Sequence, residues 1–201
     1  MGSEQNRKPG WVIWFVGLPG AGKSTCASAV YQALKGKGED VQYLSMDEQR
    51  QAYSPIPKYT AEERARSYRL FAEDAARMAY RGTNVIMDGT APKRSMRRYA
   101  RKLVPHFAEI LVRCPLEMAI HREGNRPEGL VMADLYRKAL KRKKTGIDFE
   151  GLGEVVGVDT PFEEDRLAEC VIDSDQMSIE QGRDHVLAYL DKWKSQPGKG
   201  G

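Results

Sequence analysis

Apolar residues along the chain recur in two ways: in short unbroken runs of strand length, and in longer stretches where they return every three or four positions. The runs are Trp11 to Val16, Val41 to Leu44, Asn84 to Met87, Glu109 to Val112 and Cys170 to Ile172. Helices are predicted between and after them: from the glycine-rich turn behind the first run to about Leu34, with Gly36 and Gly38 as the stop; from Thr60 to Gly82; from Lys93 to Leu103; from Leu116 to Arg122; from Ala133 to Lys144; and from Ile179 to Trp193. Thr60-Ala61-Glu62-Glu63 reads as a capping box, as does Ser178 with Gln181, because hydroxyl and side-chain acceptor each satisfy a free N–H of the first turn. In the second helix Ala61, Ala65, Tyr68, Ala72, Ala75 and Met78 or Ala79 form the expected buried stripe. Strands alternating with helices predict an α/β domain, a doubly wound five-stranded parallel sheet covered on both faces.

Punctuation sets the domain limits. Ser54-Pro55-Ile56-Pro57 must be a loop, since proline lacks an N–H and pushes the residue before it out of helical geometry. Gly146 to Glu164 is rich in glycine, has no period and is expected to be a mobile surface segment. Residues 1–10 and 195–201 read as flexible tails around one domain over 11–194, a size that suits a single core.

Composition narrows the class. With 41% hydrophobic and 30% charged residues, the 201-residue chain falls among soluble globular proteins. Trp11 to Val16 is too short to cross a bilayer, and no cleavage-site pattern follows it, so neither a membrane span nor a secretory leader is expected. Cys26, Cys114 and Cys170 are widely spaced and form no C-x-x-C pair, which predicts neither a disulfide framework nor a zinc site and suits a cytoplasmic location. A formal charge of +4 is too mild to indicate nucleic acid, and no aromatic platform is interleaved with the basic segments Lys93 to Lys102 and Arg137 to Lys144.

The strongest chemical signal is Gly17-Leu18-Pro19-Gly20-Ala21-Gly22-Lys23-Ser24-Thr25, a G-x-x-x-x-G-K-[ST] phosphate loop between a strand and a helix. Backbone N–H groups of such a loop point at phosphate oxygens, and the helix N-terminus adds partial positive charge. Lys23 is expected to reach the β- and γ-phosphates of ATP, Ser24 to help hold Mg²⁺, and Thr25 to meet the α-phosphate. No Asn-Lys-x-Asp segment follows, which argues against a regulatory GTPase. The short chain argues against a motor or transport ATPase. A small kinase needs an acceptor cleft, basic groups and a lid, and the arginine-rich segments offer all three.

Further motifs give direction. Leu44-Ser45-Met46-Asp47-Glu48-Gln49-Arg50 resembles the L-D-G-D-N-[VL]-R segment of adenylylsulfate kinases, with Asp47 on the second aspartate and Arg50 on the arginine. Val112-Arg113-Cys114-Pro115-Leu116-Glu117 is similar to their V-D-[TC]-P-L-E, Asp134-Leu135-Tyr136-Arg137-Lys138-Ala139 to G-L-Y-K-K-A, and Val156 to Glu163 to T-G-[IV]-D-x-P-[YF]-E. The resemblance covers nearly the whole chain. It implies a nucleoside-kinase-like fold and transfer of a phosphoryl group from ATP to the 3′-hydroxyl of adenosine 5′-phosphosulfate. Asp47 would coordinate Mg²⁺ through water or accept the hydroxyl proton. Arg50, Arg64 and Arg69 would bind the acceptor's phosphosulfate through their planar forks, although Arg64 and Arg69, five apart, do not share a narrow stripe. Arg122, Arg137 and Lys138 fall where the family's lid closes over the triphosphate, Arg122 on ATP and Lys138 on both transferred group and acceptor.

Several positions depart from the family pattern. Met87-Asp88-Gly89-Thr90-Ala91-Pro92 stands where the family has V-S-F-I-S-P; Ala91 cannot carry a phosphate, and Asp88 is an added carboxylate at a strand's carboxyl end, the usual place for ligands in such sheets. Asp88 is open to three roles: orienting the Mg²⁺ shell, replacing Asp47 as base, or binding a nearby N–H. Ser67 replaces the Asn of E-N-I-R-R. Val155 replaces an aromatic residue that would stack on the acceptor, with Phe149 nearby, and the lid connection Gly124 to Gly129 is longer than usual. Two rival readings therefore stand beside the first: a related kinase for another small hydroxyl or nucleotide acceptor, and an ATP-binding sensor without transfer. The expected partner is a small anionic acceptor, and a homodimer is left open.

Overall fold

The computed structural model describes residues 8–125 and 134–195. Five strands, β1 (Val12–Val16), β2 (Val41–Ser45), β3 (Asn84–Asp88), β4 (Phe107–Arg113) and β5 (Cys170–Asp173), form one parallel sheet in the order β2-β3-β1-β4-β5. Among the described residues the helices are α1 (Lys23–Gly36), α2 (Met46–Tyr53), α3 (Ala61–Tyr80), α4 (Arg94–Leu103), α5 (Leu116–Gly124), α6 (Leu135–Thr145) and α7 (Ile179–Trp193). The predicted doubly wound sheet is present, each strand within a few residues of its expected limits.

The runs are unbroken because both faces are covered, so neighbouring residues are buried on opposite sides. Ile13 and Phe15 join the core beneath α1 and α7, whereas Val12, Trp14 and Val16 join the core beneath α3 and α4. Trp14, fully buried, lies 5.8 Å from the Tyr68 ring, 5.7 Å from Phe71 and 6.5 Å from Phe107, in tilted and edge-on contacts that favour aromatic packing. Strand order reverses at β1: β2 and β3 lie to one side, β4 and β5 to the other. The carboxyl end of β1 therefore opens on the crevice where such sheets bind ligands.

Three expectations change. The segment after β2 is a helix, α2, with the Ser45 hydroxyl accepting from the Glu48 N–H at its start. It is too short and too polar to display a periodic stripe. In α3, Ala61 and Ala65 are exposed, and the inward positions of the first two turns are Arg64 and Ser67. The inward face changes from apolar to polar because its start borders a cleft instead of the core. Finally, the segment from Gly146 to Glu164 is not a loose surface stretch: Leu152, Val155 and Val156 are buried in it, and the Asp159 carboxylate accepts from Val155 N at 2.7 Å and from Arg142 at 2.6 Å. Arg126 to Gly129 of the lid connection, Ala133, and residues 1–7 and 196–201 of the tails lie outside the described residues.

Candidate active site

The glycine loop leaves β1 and turns into α1. Gly20 has φ 79°, and a Cβ there would stand 2.3 Å from the Ala119 carbonyl oxygen. Gly22, at the N-cap of α1, has φ 94°, a left-handed conformation that only glycine adopts without strain. Lys23 is buried, and its Nζ donates to the Leu18 carbonyl at 2.9 Å, folding the side chain across its own loop. From α6 the Tyr136 hydroxyl donates to the Pro19 carbonyl at 3.0 Å and fastens that helix to the loop.

A cleft beside the loop gathers Lys23, Ser24, Asp47, Arg50, Arg64 and Asp88. Each arrives by a different route: Lys23 and Ser24 from the start of α1, Asp47 and Arg50 from α2, Arg64 from α3, and Asp88 from the end of β3. Arg50 lies 3.8 Å from the exposed carboxylate of Asp47, with its guanidinium 5.1 Å from the centre of the Tyr59 ring. Arg64, buried, donates to the Glu154 carbonyl at 2.6 Å and stands 3.6 Å from the same residue's carboxylate. Asp88 is buried and accepts from the Tyr43 hydroxyl at 3.0 Å. Burial first, and then the Asp88 carboxylate, push the Tyr43 hydroxyl far above its ordinary range, so it remains a donor.

A second cleft of about 470 Å³ opens on the other side of the loop, lined by Ala21, Gly22 and Thr25 and by Arg122 and Ser174. Arg122 donates to the Ser174 hydroxyl at 3.1 Å and to its carbonyl at 2.7 Å, which ties α5 to the end of β5. Cys26 also lines this cleft; burial pushes its thiol up to about 11, so it stays protonated.

Three predicted residues stand apart from both clefts. Arg69 is exposed on α3 and lies 4.0 Å from Glu73, one turn on. Five residues from Arg64, it faces a different side of the helix. Lys138 is half-buried on α6, and Arg137 is exposed and paired with Asp134. Sequence reasoning missed Tyr43, Tyr59, Glu123 and Glu154. Glu123 is buried and accepts from Leu135 N at 2.8 Å and Tyr136 N at 3.4 Å, capping α6, whose own N-cap Asp134 is left-handed and makes no side-chain cap. No local spacing signals these contacts, because each joins distant segments.

A strand leading into a phosphate loop, a lysine held on that loop, and arginines and carboxylates gathered in the cleft beside it define a P-loop kinase. The family model for adenylylsulphate kinase matches residues 9–173. The chain belongs to that family. A probable adenylyl-sulfate kinase of Archaeoglobus fulgidus is 36% identical over 166 residues, 83% of this chain and 97% of that protein. An adenylyl-sulfate kinase of Paraburkholderia xenovorans is 32% identical over 182 residues, 90% of this chain and 93% of its own length. The APS kinase CysC of Mycobacterium tuberculosis, solved in complex with AMPPNP and APS, superposes with a TM-score of 0.75 at 24% identity, covering 91% of this chain and 98% of that one, and shows the shared fold. The chain is thus an ATP-dependent kinase that phosphorylates a hydroxyl group. Among the described residues no helix is long and apolar enough to cross a membrane.

Proposed function

We propose that the chain transfers the γ-phosphoryl group of ATP to the 3′-hydroxyl of adenosine 5′-phosphosulfate, forming 3′-phosphoadenosine 5′-phosphosulfate in sulfate assimilation. The carrying observation is a cleft in which the phosphate loop's Lys23 and Ser24 share walls with Asp47, Arg50 and Arg64. ATP would lie along the loop with its phosphates on the backbone from Gly17 to Gly22 and its nucleoside towards Thr25 and Arg122. Arg50 and Arg64 would take the acceptor's anionic group, and Lys23 the charge developing on the transferred phosphoryl. Asp47, exposed at the start of α2, would accept the hydroxyl proton. The names carried by the relatives agree with this acceptor. A cytoplasmic location and a homodimer go with the same reading; the latter is checked by sedimentation velocity.

The donor set fits Mg²⁺. The Ser24 hydroxyl and the carboxylates of Asp47 and Asp88 are among the groups lining the cleft, and among the described residues no cluster of three or more His, Cys, Asp or Glu forms an all-protein cage. Mg²⁺ in kinases takes one or two carboxylates and completes its shell with phosphate oxygens and water. The Ser24 hydroxyl would hold it, with carboxylates of the cleft acting on it through water. When bound, it neutralises charge on the β- and γ-phosphates.

Two substitutions separate these roles. Arg64→Ala is expected to raise KM for the acceptor by about 10–100-fold, the loss of a charge-assisted hydrogen bond of about 1.5–3 kcal/mol, with KM for ATP nearly unchanged. Steady-state kinetics with each substrate varied would check it; equal effects on both substrates would count against the assignment. For Lys138→Ala, turnover should fall far more than ATP affinity, and an unchanged rate would remove Lys138 from the site. The acceptor itself is tested by calorimetric titration of the AMPPNP complex with adenosine 5′-phosphosulfate, AMP and gluconate. Tighter binding of the phosphosulfate than of either alternative is the expected result, and preference for another ligand would overturn the reading.

A further inference from the structure

The family's L-D-G-D segment carries an aspartate where this chain has Ser45, and its V-S-F-I-S-P segment carries a serine where this chain has Asp88. In the sheet these two positions are Cα partners across the β2–β3 ladder. Both residues belong to the rows that face α1: Val41 and Tyr43 precede Ser45 on that face of β2, and Ile86 precedes Asp88 on that face of β3, all packed into or against the core beneath α1. Serine and aspartate have thus changed places between adjacent strands, and one carboxylate is kept at this end of the sheet. It now springs from β3, next to the phosphate-loop strand, where Asp88 pairs with Phe15.

The displaced carboxylate has a partner of its own. Tyr43, two residues before Ser45, sends its hydroxyl to Asp88 Oδ2 at 3.0 Å, and its ring is held edge-on by Tyr31 of α1 at 5.6 Å. One oxygen of Asp88 is thus occupied by a fixed donor. The other oxygen belongs to a carboxylate that lines the same cleft as Lys23 and Ser24. Asp88 is buried there, whereas Asp47 on α2 is largely exposed. A buried carboxylate held through one oxygen is suited to orienting a cation's water shell, because its rotamer is set before the cation arrives.

We propose that Asp88 is the carboxylate that orients the Mg²⁺ shell in this chain and that Tyr43 is its positioning residue, the pair replacing across the β2–β3 ladder the first aspartate of the family's L-D-G-D segment. The inference rests on the kinase reading for the metal but not on the identity of the acceptor. Ser45 loses nothing in the exchange, since serine and aspartate both cap a helix N-terminus and position 45 caps α2.

The test is the affinity of the full-length protein for Mn²⁺ in the presence of saturating AMPPNP, read by electron paramagnetic resonance of free Mn²⁺, with no acceptor added. Asp88→Asn is expected to weaken Mn²⁺ by about 10–100-fold and Tyr43→Phe by about tenfold, the range for metal-orienting outer-shell partners. The double variant Ser45→Asp/Asp88→Ser should recover to within about threefold of the wild type, and Tyr43→Phe added to it should then change affinity by less than about twofold, because the carboxylate it served has moved. Wild-type Mn²⁺ affinity in Asp88→Asn would overturn the proposal. So would an equal loss from Tyr43→Phe in both backgrounds, which would make Tyr43 a packing residue. Because no acceptor enters the measurement, its failure is distinct from failure of the sulfate reading.

Discussion

Lys23→Ala is expected to lower kcat by about 10²–10³-fold, the cost of removing one preorganised charge from a developing transition state. The lysine is buried and held on the Leu18 carbonyl at 2.9 Å, so it reaches the phosphates from within the loop and needs little reorganisation. Phosphoryl transfer involves little covalent chemistry by the protein, and charge lost at this point is not supplied elsewhere. Stability should change little, since the hydrogen bond the variant forfeits at the Leu18 carbonyl is worth about 1 kcal/mol. Far-ultraviolet circular dichroism and a melting curve close to the wild type would establish that the loss is chemical. A loss confined to KM for ATP would assign Lys23 to ground-state binding instead.

Arg97→Met is expected to have the largest effect on stability, about 3–5 kcal/mol at pH 8, because it strands a buried charge. Arg97 and Glu109 are each about 1% exposed and lie 3.0 Å apart, joining α4 to β4. The same guanidinium donates to the Ala91 carbonyl at 2.5 Å and to that of Glu163. Glu163 N in turn donates to the Pro92 carbonyl at 2.8 Å, so this side chain and a backbone hydrogen bond together fasten the loop after Asp88 to the segment ending at Glu163. Burial holds the Glu109 carboxyl above its usual range, and Arg97 opposes that rise. Deleting Arg97 removes the opposition, and the native variant then binds a proton at pH values where the unfolded chain has released it. A folded-state value above the unfolded one contributes stability below the unfolded value and loses it as pH rises through the folded value. The deficit should therefore shrink between pH 8 and pH 5 in urea titrations. A pH-independent deficit would place the loss in the two carbonyl contacts.

What the sequence made legible follows from how far its signals reach. Strands buried on both faces announce themselves as unbroken apolar runs, and the phosphate loop is contiguous, so fold and donor site were readable from Trp11 to Thr25 and from each later run. Asp47, Arg50 and Asp88 were named from short motifs and Arg64 from the family resemblance, and all four line one cleft. The partners that fix them were not legible. Tyr43 and Asp88 are 45 positions apart, Arg64 and Glu154 are 90 apart, and Arg97 reaches Glu163 over 66. No local period encodes such pairings; they exist only once the sheet order is set. Arg69 shows the converse. The family resemblance placed it with Arg64, but a five-residue offset turns it towards solvent and Glu73. Gly146 to Glu164 looked mobile because glycine and missing periodicity were its only local signals, yet Asp159 organises it through a backbone N–H and Arg142.

The central claim is that the cleft joining Lys23 to Arg50 and Arg64 passes a phosphoryl group to an anionic nucleotide hydroxyl. Its most direct test incubates the protein with Mg·ATP and a panel of hydroxyl acceptors that includes adenosine 5′-phosphosulfate, with products identified by mass and the new ester located by phosphorus NMR. The expected result is ADP release that depends on adenosine 5′-phosphosulfate, with phosphate appearing on its 3′-oxygen. Transfer to another member of the panel alone would contradict the acceptor, and the absence of any acceptor-dependent ADP would contradict the claim itself.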